Sequence, residues 1–257
     1  MIMKITLLQS NIEWENREAN LKSFENQIQS LRSDTDLIIL PEMFTTGFSM
    51  HPELWAEEHL GTTFKTMQLW AKQKQSAVVG SIIIKSNNKY WNRAYFVFPD
   101  GSFQYYDKRH LFRMAKEDEH YASGNQRVLV EYKGWKILPL ICYDLRFPVW
   151  SRNDLDYDLL IYIANWPERR STPWKALLKA RAIENLSYVA GVNRIGEDGN
   201  GIEHSGDSAL IDFNGKELSA ITPNQQMSET ISIDKDGLLE FKRKFPAHLD
   251  ADTFTIE

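Results

Sequence analysis

Short apolar runs alternate with amphipathic stretches along almost the whole chain, and this alternation limits the fold more than any other feature. Runs at 4–9, 36–40, 77–84 and 159–163 read as buried strands. Between the first two, Leu21, Phe24, Ile28 and Leu31 recur at three- and four-residue steps and mark one face of a helix. A second helix spans 63–73, with Phe64, Met67 and Trp70 on one side. Other segments pair as hairpins. One joins 90–98 to 103–106 through Pro99-Asp100-Gly101, and another joins 127–131 to 136–141 through Lys133-Gly134. Thr172-Pro173 opens a further helix, with Thr as cap and Pro in the first turn. Ala176, Leu177, Ala180 and Ile183 fit its buried face. Strands at 188–192, 209–213 and 230–233 follow, with Asn214-Gly215 as a turn. Strands flanked by helices, with hairpins mixed in, predict an α/β layered sandwich rather than a purely parallel sheet.

No internal repeat, low-complexity tract or Pro/Gly/Ser-rich linker interrupts this order, so residues 1–257 read as one domain. A net charge of -5 argues against a general nucleic-acid binder, which needs a basic surface to neutralise phosphates. No apolar run approaches the roughly 20 residues that span a bilayer. The start of the chain turns polar too early for a signal peptide. A single cysteine suits a reducing compartment. The expectation is a cytoplasmic protein without membrane or nucleic-acid partners. Trp91, Trp150, Trp166 and Trp174 fall near the loops discussed next, although packing is the commoner role of tryptophan.

That one cysteine, Cys142, stands where the apolar run ending at Ile141 gives way to polar and turn-forming residues. A lone thiol is more often a small buried hydrophobe than a catalyst. Two other ionisable residues occupy equivalent places. Glu42 follows 36–41, and Lys108 follows 103–107. If those strands are neighbours, a base, a cation and a nucleophile converge at one sheet edge. A carboxylate can take the thiol proton, and an ammonium can stabilise first the thiolate and then the oxyanion of a tetrahedral intermediate. The backbone N–H of Tyr143 is a second oxyanion donor. His110 is the one histidine at a comparable strand end.

These residues carry a resemblance. Leu40-Pro41-Glu42-Met43-Phe44, Tyr106-Asp107-Lys108-Arg109-His110-Leu111-Phe112 and Ile141-Cys142-Tyr143-Asp144-Leu145-Arg146-Phe147-Pro148 resemble the three motifs of the nitrilase (carbon-nitrogen hydrolase) superfamily, in its Glu-Lys-Cys order. The resemblance implies a four-layer αββα sandwich, paired into homodimers or larger assemblies, with no metal and no organic cofactor. It implies Cys142 as nucleophile, Glu42 as base and Lys108 as oxyanion stabiliser. It also implies a second glutamate between lysine and cysteine. Glu117, seven residues before Gly124, is the better match, and Glu119 competes with it.

The lysine and cysteine motifs, with Asn165-Trp166-Pro167, are similar to the omega-amidase branch. This implies hydrolysis of the terminal amide of 2-oxoglutaramate or 2-oxosuccinamate to the dicarboxylate and ammonia. Such a substrate carries a carboxylate remote from the amide, and an arginine fork suits it best. Arg113, Arg169 and Arg170 lie in suitable loops, with Arg170 the first choice and Arg113 the second. Trp166 is placed to wall the acyl pocket. Arg146, close to Asp144 in sequence, reads as a brace of the nucleophile loop through an ion pair. A nitrilase or N-carbamoyl amine hydrolase acting on another small substrate is the alternative, followed by a catalytically silent binding dimer.

Overall fold

The structure is a computed structural model and describes residues 1–31 and 34–255. The first part of the chain forms β1 (Ile2–Gln9), α1 (Arg17–Ser30), β2 (Leu37–Ile39), α2 (Pro52–Trp55), β3 (Glu57–Glu58), α3 (Thr62–Lys74), β4 (Ala77–Ser86), β5 (Lys89–Val97) and β6 (Phe103–Asp107). The second part forms α4 (Glu117–His120), β7 (Val130–Tyr132), β8 (Trp135–Ile141), β9 (Leu159–Ala164), α5 (Ser171–Asn185) and β10 (Tyr188–Asn193). It closes with β11 (Ile195–Glu197), β12 (Glu203–Ser205), β13 (Ala209–Ile211), β14 (Met227–Asp234) and α6 (Lys235–Lys244). Among the described residues, one sheet runs β14-β1-β2-β4-β5-β6 with β3 beside β4, and the other runs β13-β10-β9-β8-β7.

The two-residue period of the strands builds the layers. Met3, Ile5, Leu7, Leu37, Ile39, Ala77 and Val79 point into the core shared with the second sheet, where they join Ile137, Ile161 and Ile163. Their neighbours Leu8, Ile38 and Val78 point the other way, onto Phe24 and Ile28 of α1 and Phe64, Met67 and Trp70 of α3. On the far side, Trp174, Leu178 and Ala182 of α5 cover the second sheet. Gly191 permits this close approach, since a Cβ there would meet Leu178 at 2.5 Å. The order is helix, sheet, sheet, helix, and the α/β sandwich expected from sequence is the fold observed.

Several boundaries differ from expectation. The strand placed at 127–131 is only Val130–Tyr132, although its turn stands: Lys133 and Gly134 both have positive φ, +46° and +74°, as a two-residue hairpin requires. The helix expected to open at Thr172-Pro173 starts at Ser171 instead. Its buried face is Trp174, Leu178, Arg181, Ala182 and Asn185, not Ala176, Leu177, Ala180 and Ile183. The polar members of that face explain the shift. Arg181 donates to the Leu145 carbonyl at 2.8 Å, and Asn185 accepts from Asn153 N at 2.9 Å. Burial there follows hydrogen bonding as well as hydrophobicity.

Candidate active site

Glu42, Lys108 and Cys142 all lie just past strand ends, but not at one sheet edge. Glu42 follows β2 and Lys108 follows β6, both in the first sheet, whereas Cys142 follows β8 in the second. The three meet at the end of the sandwich, across the gap between sheets. Strand β6 reaches that end because β4, β5 and β6 are successively antiparallel, so β6 runs in the direction of β4 and β2.

Lys108 is the centre of the buried cluster. Its Nζ donates to Glu42 Oε1 at 2.8 Å and to Glu117 Oε1 and Oε2 at 2.9 and 3.0 Å. Burial alone would lower its affinity for a proton, but Glu117 and Glu42 outweigh burial and hold the ammonium above its ordinary range. The second glutamate of the cluster is thus Glu117. Glu119 is exposed and faces Lys116 at 3.7 Å. Glu117 is fixed further by Phe112 N–H, which donates to its Oε2 at 2.6 Å. Burial, aided by the nearby Glu42 charge, raises the Glu117 carboxyl. Gly124 lets the lysine strand pass, since a Cβ at that position would stand 2.1 Å from the Asp107 carbonyl oxygen.

Glu42 is held from three sides. Asn92 Nδ2 donates to Oε1 at 2.7 Å, Asn165 N–H donates to Oε2 at 2.8 Å, and the Asn165 side chain donates to the Glu42 carbonyl. Asn92 carries no sequence expectation, and Asn165 enters the sequence reading only within Asn165-Trp166-Pro167, not as a partner of Glu42. Asn165 carried a signal all the same: it follows the apolar strand β9 directly, as Glu42, Lys108 and Cys142 follow theirs. Asn92 sits beside Arg93 in a strand of mixed polarity, where nothing local marks it.

Cys142 begins a short 3-10 turn with φ +44°, a left-handed conformation that costs a non-glycine residue about 1 kcal/mol. Asp144 holds the turn in place. Its Oδ2 accepts from Ile141 N–H at 3.0 Å and Tyr106 hydroxyl at 2.8 Å, and its Oδ1 accepts from His110 N–H at 3.0 Å. The carboxylate therefore ties the Cys142 turn to the lysine loop. His110 belongs to this tie, with Nδ1 2.8 Å from Asp144 Oδ1. Burial pushes the Cys142 thiol well up, Glu42 adds to the rise through its charge and a hydrogen bond, and Lys108 pulls the other way. The thiol therefore rests protonated. Tyr143 N–H lies in the first turn, where no intrahelical acceptor exists.

Cys142 and Lys108 open onto a pocket walled by Phe48, Phe112, Tyr143 and Trp166. Trp166 is anchored by its indole N–H on the Arg170 carbonyl at 2.7 Å and by its backbone N–H on Asn193. Arg170 faces the pocket, stacks over Phe112 at 5.3 Å and donates from Nη2 to the Met114 sulfur at 2.9 Å. Its Nη1 is buried without a partner. Arg113 lies elsewhere: its side chain is 87% exposed, pairs with Asp118 at 3.6 Å and does not line this pocket. The brace expected of Arg146 is a correction too. Asp144 takes its hydrogen bonds from Ile141, Tyr106 and His110, while Arg146 lies over the Trp166 ring at 5.1 Å and lines the pocket. The β11–β12 hairpin supplies Ile202 and His204 to the wall. No local sequence pattern marked them, because only long-range packing brings the hairpin there.

Known proteins resemble the whole of this arrangement. The chain is 47% identical over 256 residues to Omega-amidase YafV of Escherichia coli strain K12, covering 99% of this chain and 98% of that one. It is 32% identical over 223 residues to the 2-oxoglutaramate amidase of Bacillus subtilis strain 168, covering 84% and 85%. The solved structure of a CN-hydrolase superfamily protein from Xanthomonas campestris, with an arsenic adduct in its active site, superposes with a TM-score of 0.97 at 42% identity and full coverage of both chains. Residues 4–238 match the carbon-nitrogen hydrolase family, and this chain is a member of it.

Proposed function

We propose that the protein is an omega-amidase, hydrolysing the terminal amide of 2-oxoglutaramate or 2-oxosuccinamate to the dicarboxylate and ammonia. The observation that carries the reading is the guanidinium of Arg170, with one nitrogen left unpartnered, in the same pocket as Cys142 and Lys108, with Glu42 bonded to Lys108 behind it. A substrate with an amide at one end and a carboxylate at the other spans these two groups. The likeness to Omega-amidase YafV over nearly full length supports it.

The sulfur of Cys142 attacks the amide carbon as its proton passes to Glu42. Negative charge moves from carboxylate to sulfur and then to the carbonyl oxygen, which Lys108 and Tyr143 N–H stabilise. Glu42 returns the proton to the departing nitrogen, the C–N bond breaks, and ammonia leaves a thioester on Cys142. Water attacks the thioester with Glu42 as base, and the acid leaves as the thiol reforms. Glu117 keeps Lys108 charged and aimed. Arg170 holds the remote carboxylate and Trp166 walls the acyl chain.

Ammonia release from 2-oxoglutaramate, compared with a simple nitrile and an N-carbamoyl amine, tests the reading. Preference for the amide, abolished in Cys142→Ala, is the expected result, and turnover of the nitrile or carbamoyl compound instead would replace it. The chain also acts as a homodimer in this reading, because exposed Val149 and Phe254 border one surface cleft. Light scattering at micromolar concentration checks that. A reducing, cytoplasmic setting suits the free thiol, and no helix among the described residues is long and apolar enough to cross a membrane.

A further inference from the structure

The pocket holds more positive charge than one carboxylate needs. Arg146, on the nucleophile's own turn, and Arg169, beside Arg170, line it together with Arg170. Among the described residues, no carboxylate lies within ion-pair distance of any of the three. The guanidinium groups are close enough for Arg169 and Arg146, after burial, to lower the proton affinity of Arg170. The one carboxylate of this wall, Asp198, is turned to its own hairpin, where Oδ1 accepts from Asn200 N–H at 2.8 Å and Ile202 N–H at 3.0 Å. The carboxylates Glu42 and Glu117 sit at the reactive end, behind Lys108.

We infer that Arg146 is a specificity-determining residue, completing with Arg169 and Arg170 a three-cation wall that admits monoamides of net negative charge and rejects those carrying an ammonium on the carbon beside the carboxylate. The inference rests on the amidase reading above and adds a ground for choosing among its substrates. A carboxylate held by Arg170 brings its α-substituent into the field of all three guanidinium groups. An oxo group or a hydrogen is indifferent or favourable there, whereas an ammonium is repelled by like charge. Arg146 lies over the ring of Trp166, 5.1 Å from its centre, and the ring face favours its charge there.

Three probes separate the effects: 2-oxoglutaramate, glutaric acid monoamide, which lacks the α-substituent, and glutamine, which carries the ammonium. Ammonia release is followed for the wild type, Arg146→Gln and Arg146→Lys. The expected result is a kcat/KM at least tenfold higher for both anionic monoamides than for glutamine in the wild type. In Arg146→Gln the anionic substrates lose and glutamine does not, so the ratio narrows at least fivefold, and Arg146→Lys keeps it wide. Equal use of glutamine and glutaric acid monoamide by the wild type overturns this inference alone. So does an equal loss on all three substrates in Arg146→Gln, or an unchanged ratio. No release from any probe by the wild type overturns the amidase reading and this inference with it.

Discussion

The ammonium of Lys108 meets three carboxylate oxygens of Glu42 and Glu117 within 3.0 Å, whereas the guanidinium of Arg170, across the same pocket, meets one thioether sulfur and leaves a nitrogen without a partner. The first group is complete before any ligand arrives. Its ammonium is saturated by two carboxylates, and Asn92, Asn165 and Phe112 N–H hold those carboxylates still. The second is incomplete and gathers like charges. Preorganisation at the reacting bond needs dipoles and charges that do not move when the bond changes. Recognition needs groups that gain when the ligand enters, and an unpaired cation gains most.

The largest break in this contrast is Glu42→Gln. It removes the proton acceptor and lowers kcat by roughly 10²–10⁴-fold. It also removes the charge that, after burial, raises the thiol. The midpoint for Cys142 alkylation by iodoacetamide therefore moves to lower pH while turnover collapses. A midpoint that stays or rises would show that the thiol does not sense Glu42. Next is Lys108→Met, which leaves two buried carboxylates without their cation and costs about 3–5 kcal/mol of stability, read from urea unfolding. Stability equal to wild type would mean that the reactive cluster is not interlocked.

His204 sharpens the comparison from the pocket wall. Burial, with Arg194 nearby, pulls its imidazole down to about 4 from 6.5. The folded state binds the proton less well than the unfolded state, so stability is full above about pH 6.5 and drains as pH falls toward 4. The cost at pH 5 is about 2 kcal/mol, and His204→Gln removes that component of acid sensitivity. An unchanged acid slope in that variant would remove His204 from the account. The smallest change belongs to Arg170→Gln. KM for the carboxylate-bearing amide rises about tenfold with kcat little altered, and folding stability stays within about 0.5 kcal/mol because no ion pair is lost. A large loss of stability would make Arg170 a structural residue and erase the contrast.

The parts legible in the sequence are those where chemistry coincides with the end of an apolar run. Glu42, Lys108 and Cys142 each stand at such a boundary, and strands with period two and helices with period 3.6 announce the layers. What stayed hidden depends on partners far away in the chain. Glu117 and Glu119 are separated only by which one reaches Lys108. Arg146 and Asp144 are two residues apart, but Asp144 turns inward to Tyr106 and His110 while Arg146 turns outward to Trp166. The buried face of α5 was misplaced because Arg181 and Asn185 are buried through hydrogen bonds that a hydrophobic pattern does not register.

The site draws its base and cation from one sheet and its nucleophile from the other, so it works as a gauge of how the two sheets sit against each other. Packing between them is tight enough that Ile137, Ile161, Ile5 and Leu7 are fully buried. A cavity cut there, by Ile161→Ala for example, would let the sheets settle by a fraction of an ångström while the chain stays folded. Misplacement on that scale already spoils a hydrogen-bonded attack geometry. Turnover would then fade before any unfolding signal appears, making catalysis the most sensitive reporter of wear in a core that contains none of the reacting atoms.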